Sequence, residues 1–205
     1  MNGKRIVVTG LGVVAPCGLN PEEVWDAVVN GRPTAATVSR FDSSAMPCHL
    51  AAEISGFDAE KWMERKRASR LDRAVQYCLA AGKQAFQDSG LEAGSLNPDR
   101  IAIFEGTSVT GLENTLSQHS GFVASGIKSI QPTALVSSFC GAGSSELAID
   151  LDIQGQATTI CTACSAGNDA IGYGMRTIWD GMADIVLAGA SEAPIVDGYY
   201  SIFAK

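Results

Sequence analysis

Ala157-Thr158-Thr159-Ile160-Cys161-Thr162-Ala163-Cys164-Ser165-Ala166-Gly167 is the stretch from which the fold can be read. Residues Ala157 to Cys161 are small, β-branched or apolar and uncharged, which predicts a short buried strand. Ala166 to Gly181 then reads as a helix, with Ala166, Ala170 and Gly174 recurring at four-residue spacing and Gly167 and Gly172 nearby. Glycine costs a helix up to ~1 kcal/mol relative to alanine, so this helix is expected where other backbones pass very close to it. A further strand follows at Asp184–Leu187, ended by Gly189. A strand, a helix and a strand in that order form a parallel crossover unit.

The same alternation extends upstream. Ile101–Phe104 reads as a buried strand ending at Gly106, followed by a helix over Leu112–Val123, and Thr133–Leu151 is helical with an interruption at Gly141 and Gly143. From Ser69 to Ser89, Leu71, Ala74, Val75, Cys78, Leu79, Ala85 and Phe86 repeat at three- and four-residue spacing, and Gly90 stops the helix. Asn20-Pro21-Glu22-Glu23 supplies a cap, a first-turn proline and a glutamate three residues on, starting a helix that runs to Asn30. Arg5–Thr9 reads as a strand stopped by Gly10, residues 31–56 as an irregular excursion, and 199–205 as the opening of another helix. The expected class is α/β with a mainly parallel sheet.

Composition narrows the function. The 205 residues are 46% hydrophobic and 18% charged, low against the roughly one quarter charged of an average domain, which predicts a large surface covered by a partner. The net charge is −7, and the one basic cluster is Lys61 to Arg73, so nucleic acid is not an expected partner. Six cysteines, Cys17, Cys48, Cys78, Cys140, Cys161 and Cys164, are too sparse for a disulfide scaffold and fit a reducing, cytoplasmic setting. Lys4-Arg5 before the apolar Ile6–Ala15 imitates a signal peptide, but the β-branched residues and Gly10 and Gly12 break a helical core segment. No apolar run reaches the ~18 residues of a membrane span.

Two motifs could carry chemistry. Gly10-Leu11-Gly12-Val13-Val14-Ala15 after a strand imitates a dinucleotide fingerprint, but Pro16 and Gly18 occupy the place of the phosphate-binding first turn, so a structural turn is expected. Cys161-Thr162-Ala163-Cys164 admits several readings. Zinc lacks ligands, since neither a second such pair nor a nearby histidine accompanies it, and no metal is expected. A redox dithiol would place the attacking first cysteine at the helix start, whereas Cys161 ends a strand. Cys164 alone sits at the strand-to-helix turn, where a helix N-terminus favours a thiolate and leaves N–H groups free for an oxyanion. Two buried structural cysteines form the remaining alternative.

Thr162-Ala163-Cys164-Ser165-Ala166-Gly167, with Ala170-Ile171-Gly172 and Ala183-Asp184-Ile185-Val186-Leu187-Ala188-Gly189-Ala190-Ser191-Glu192, resembles the nucleophile region of the elongating β-ketoacyl-acyl carrier protein synthases. The likeness covers essentially all 205 residues and includes Arg5–Gly12, Ser69–Arg73 and Gly106–Leu112. It implies a thiolase-like fold with buried central helices, of which 1–205 is the first, N-terminal half, and a dimer or other oligomer. It implies that Cys164 takes an acyl group as a thioester and that a malonyl thioester on acyl carrier protein loses carbon dioxide and attacks it, in fatty acid or polyketide synthesis and without a cofactor. Val109 matches a position of the acyl pocket, and the segment Pro132–Phe139, with Phe139, matches one that reaches the neighbouring subunit's pocket.

Family members are about twice this long, and the half not matched carries two histidines, a lysine and the second oxyanion donor. Neither His49 nor His119 falls in a matching motif, so both are expected to be partly solvated surface residues. A second ketosynthase half or subunit is therefore an expected partner, whether this chain is a fragment or half of a split enzyme. The alternative is a non-catalytic subunit that shapes another synthase's pocket; family members in that role typically lack the cysteine that this chain keeps. A cysteine hydrolase using His119 lacks an acidic orienter, and a dithiol oxidoreductase at Cys161 and Cys164 is the remaining competitor.

Overall fold

The computed structural model describes residues 5–205. Its elements in chain order are α1 (Pro21–Val29), β1 (Ala36–Thr37), β2 (Leu50–Ala51), α2 (Arg65–Ala68), α3 (Arg73–Asp88), β3 (Ile101–Gly106), α4 (Leu112–Ser125), α5 (Ala134–Ser138), α6 (Ala142–Asp150), β4 (Ala157–Ile160), α7 (Ala166–Trp179), β5 (Ile185–Ala190) and α8 (Asp197–Ala204). β3 is the centre of a parallel sheet of order β4-β3-β5, with Ile103 beside Ala157 on one edge and Leu187 on the other. β1 and β2 form a small antiparallel pair inside the stretch expected to be irregular.

Every residue of β3 is buried, and its alternation defines the layers. Ile101 and Ile103 pack with Val75 and Leu79 of α3 and Leu147 of α6, while Ala102 and Phe104 pack with Ala170 of α7. The sheet is thus sandwiched between α3 and α6 on one face and α7 on the other. Leu79 is fully buried, and truncating such a residue to alanine costs about 2–5 kcal/mol. The small residues of α7 have the expected cause: a Cβ on Gly174 would lie 2.7 Å from Val186. Only that face of α7 is covered, however. Ile171 and Met175 on its other side are exposed, so the expected central helix is half-buried in this chain.

Arg5–Thr9 is not a strand. Residues 5–9 join no ladder, and Val8 is 80% exposed. The chain that follows lies on α3: a Cβ on Gly10 would sit 2.1 Å from Ala85 O, and one on Gly12 1.9 Å from Ala81 O. Leu11 N donates to Asp88 (2.8 Å) and Val13 N to Gln84 (3.1 Å). The glycine pair is therefore a device for helix contact, as the structural-turn reading expected, and does not form a phosphate cradle.

The long amphipathic helix starts at Arg73, because Asp72 caps it by accepting from Ala74 N (3.0 Å) and leaves Arg65–Ala68 as a separate turn. Asp72 is buried and also accepts from Asn114 N in the first turn of α4 (3.0 Å), so one carboxylate fixes two helix starts. The interruption expected near Gly141 falls at Phe139–Gly141, between α5 and α6. β5 runs past Gly189 to Ala190, because β3 extends to Gly106 and supplies Gly189 with a partner in Glu105. Among the described residues, no helix is long and apolar enough to cross a membrane.

Candidate active site

β4 ends at Ile160 and α7 begins at Ala166; between them Ala163–Ser165 forms a single helical turn carrying Cys164, which is exposed. Ala163 has φ 57°, a left-handed conformation that costs a residue with a Cβ of order 1–3 kcal/mol and persists where surrounding contacts enforce it. Asp169, in the first turn of α7, supplies such contacts: its carboxylate accepts from the Thr162 hydroxyl and from Ser165 Oγ (2.9 Å). Those bonds, Thr162's first, hold Asp169 below the usual aspartate range. Backbone N–H groups at the start of a helical turn have no acceptor within it, and Cys164's own N–H is one of them. The turn thus presents a thiol, an amide donor and a helix N-terminus together. Asp169 escaped the sequence reading; an acid in the first turn of the helix was the available signal.

Three loops meet around this turn. Gly106 at the end of β3 lies against the start of α7, where a Cβ would come within 2.4 Å of Ala166 C and O. Its continuation carries Val109, which is half-buried, and reaches Gly111, itself packed against Ser138 O. Phe139 follows with its ring against Gly141, and the thiol of Cys140 meets that of Cys161. Ser144 Oγ and Thr159 Oγ1, 2.8 Å apart, tie α6 to β4 beside that contact. The loops of Val109, Phe139 and Cys164 are brought together, although these residues lie 25 to 55 positions apart in sequence.

Below the turn lies a polar cluster. Glu105 projects from the face of β3 that carries Ile101 and Ile103, and a Cβ on Gly143 would fall 2.1 Å from its Oε1. Burial pushes this carboxyl up, against hydrogen bonds from Ser191 Oγ (2.8 Å) and the Cys78 thiol. Cys78 is itself pushed well up by burial and by Glu105. Cys161 is exposed and β4 only partly buried, against the expected buried strand, yet partial desolvation and then the contact with Cys140 raise its pKa, which makes it a poor attacking thiol. Cys48 behaves oppositely: the Tyr200 hydroxyl and the Leu50 N–H lower its pKa. No sequence signal marked it, because Tyr200 arrives from 152 positions away.

Both histidines lie on the surface, as expected. His49 is exposed with Nδ1 3.2 Å from Ser43 Oγ, and His119 is exposed on α4. Among the described residues, no group of three or more histidine, cysteine or acidic side chains is placed to hold a metal. A cavity of about 440 Å³ between α3 and α4, lined by Arg70, Asp72, Arg73 and Asn114 among others, contains none of the expected site residues.

Residues 3–205 match the family described as beta-ketoacyl synthase, N-terminal domain. The 3-oxoacyl-[acyl-carrier-protein] synthase 2 of Synechocystis is 33% identical over 202 residues, covering 98% of this chain and 49% of the relative. The tetracenomycin polyketide synthase ketoacyl synthase alpha subunit of Streptomyces glaucescens is 34% identical over 206 residues, covering 94% and 46%. Among solved structures, the ishigamide ketosynthase/chain length factor superposes with TM-score 0.89 at 30% identity, covering 97% of this chain and 49% of that one. A type II polyketide acyl-carrier protein in complex with its ketosynthase gives TM-score 0.85 at 25% identity, covering 98% and 54%. The chain spans about half the length of the curated relatives it matches. It belongs to the β-ketoacyl synthase family and corresponds to that family's N-terminal domain.

Proposed function

We propose that this chain is the nucleophile-bearing half of a β-ketoacyl-acyl carrier protein synthase, with Cys164 as the acyl acceptor. The observation that carries the reading is the Cys164 turn, which combines an exposed thiol, a free amide and a helix start and is flanked by the loops of Val109 and Phe139. In the loading step the Cys164 thiolate attacks the acyl carbonyl, negative charge collects on oxygen near the Cys164 N–H, and the carrier thiolate leaves. In the second step a malonyl thioester loses carbon dioxide; the resulting enolate carbon attacks the acyl-Cys164 carbonyl and expels the thiolate as a β-ketoacyl thioester forms. Val109 and Phe139 line the acyl chain's path.

Decarboxylation and enolate stabilisation call for donors that His49 and His119 do not supply, so a second half or subunit contributes them. An acyl carrier protein delivering both thioesters is the partner, as in the polyketide complex that this chain resembles. The likeness to a ketosynthase/chain length factor supports a second reading, a pocket-shaping subunit. Mass spectrometry separates the two. Incubation with an acyl thioester is expected to add one acyl group to this chain, and Cys164→Ala to abolish the addition, while a malonyl thioester yields no β-ketoacyl product until the second half is added. A chain that never becomes acylated is the pocket-shaping subunit, and condensation by this chain alone overturns the division of the site.

A further inference from the structure

Glu192 closes the motif that carries the family likeness, with no role assigned to it there. Its carboxylate leaves the end of β5 and reaches across to the loop after β3, where Oε1 accepts from Ser108 N (2.6 Å), Val109 N (3.0 Å) and the Thr107 hydroxyl. Three donors from three consecutive residues thus converge on one oxygen, an arrangement that suits an anion.

The same turn is laced to β5 by further bonds. Thr110 N donates to Thr107 Oγ1 (3.0 Å), Thr110 Oγ1 to Ser191 O (3.3 Å), and Ser191 N to Gly106 O (3.2 Å). Gly106 is in turn pressed against the backbone of Ala166 and Gly167, two and three residues after Cys164. Val109 is therefore fixed relative to Cys164 from two sides. One is the close backbone contact at Gly106, and the other is the carboxylate that holds residues 107–109.

We propose that Glu192 is a positioning residue whose carboxylate clamps the 107–109 turn and so sets which acyl chains the Cys164 site accepts. The selectivity part rests on the reading of Cys164 and Val109 given above; the clamp itself does not. The contacts of Glu192 Oε1 are with the 107–109 turn, through which it acts on the site. Removing it frees two backbone N–H groups and the Thr107 hydroxyl to turn toward other acceptors, and Val109 moves with them. A pocket wall displaced by the width of a methylene changes discrimination by about 10-fold or more.

The test compares wild type, Glu192→Ala, Glu192→Gln and Glu192→Asp in the full chain. Competing acyl-coenzyme A thioesters of two to sixteen carbons are offered, and the acyl-Cys164 species are weighed by mass. Glu192→Ala is expected to change the ratio of long to short acyl groups by about 10-fold, with acetyl loading kept within about 3-fold. Gln keeps an acceptor at the same reach and should restore most of the wild-type profile, whereas Asp, one methylene short, should resemble Ala. Val109→Ala should shift the profile as well, and the double variant should be non-additive.

Amide hydrogen exchange at Ser108 and Val109 is read on the same proteins. Faster exchange in Glu192→Ala supports the clamp. Unchanged exchange, or an unchanged chain-length profile in an acylated variant, overturns the proposal, as does a uniform loss at every length with a fall in Tm. A wild-type chain that accepts no acyl group overturns the selectivity claim together with the acyl-transfer reading, and the amide exchange then tells whether the clamp also fails.

Discussion

Six free cysteines in one chain differ in what surrounds each sulfur. Cys78 is half-buried with its thiol against Glu105, and Cys161, though exposed, is raised by partial desolvation and by Cys140, so both hold their protons more tightly than an ordinary thiol. Cys164 stands exposed on a helical turn, and Cys48 is stabilised as thiolate by Tyr200 and backbone N–H groups. Since the thiolate is the nucleophile, a limiting amount of iodoacetamide near pH 7.5 should label Cys164 and Cys48 first, Cys161 later, and Cys78 only after unfolding. Peptide mapping reads the order. The sequence alone pointed to Cys164 as the single reactive thiol, and Cys48 is the addition that the structure makes. Labelling of Cys161 as fast as Cys164 would return weight to the dithiol alternative.

At the scale of elements, the central strand carries the clearest conflict. A glutamate on the core face of β3 loses hydration, and burial raises its pKa above the ordinary 4.5, so the folded chain binds that proton more tightly than the unfolded chain. Stability from this group is therefore fully present below 4.5 and declines as pH rises through the higher folded value. Glu105→Gln imitates the protonated acid and keeps the acceptor for Ser191 Oγ. It should unfold at higher temperature than wild type at pH 8, by about 2–4 °C per kcal/mol gained in a chain of this size, with the gap closing toward pH 4. Thermal melts at several pH values check this, and a constant gap across pH would show that packing and not ionisation is responsible. Glu105 also marks where the sequence stops being legible. Helix α1 follows from its cap, and α3 and α7 from the spacing of their apolar or small residues, which are local signals. The fate of Arg5–Thr9 depended on whether a distant sheet edge takes it up, and that of Glu105 on Gly143, Cys78 and Ser191, none of which is a sequence neighbour. Cys164 could be argued from its turn; Val109 and Phe139 came only through resemblance, because nothing in spacing connects 109, 139 and 164.

At the scale of the molecule, the low charge content shows up as apolar surface. On the packed pair α4 and α5, Val123, Leu135 and Val136 are exposed, Leu135 to 83%, with Ile127 between the helices in sequence. The open side of α7 adds Ile171 and Met175. Covering a side chain of this size contributes about 1.5–3 kcal/mol, and contiguous apolar patches beyond a few hundred Å² are rare on monomers. The 205-residue chain on its own should therefore self-associate, with a sedimentation coefficient that rises with concentration in the micromolar range. Leu135→Glu with Val123→Lys places charges on that surface without touching β3 or the Cys164 turn. The double variant should raise the concentration needed for assembly by about tenfold or more, the equivalent of about 1.4 kcal/mol. Circular dichroism separates lost association from lost folding, since Leu135 and Val123 contribute little to the core at these exposures. Sedimentation of the unmodified chain as a compact monomer at every concentration would mean that its exposed apolar residues need no partner, and would weaken the case for a second half seated against them.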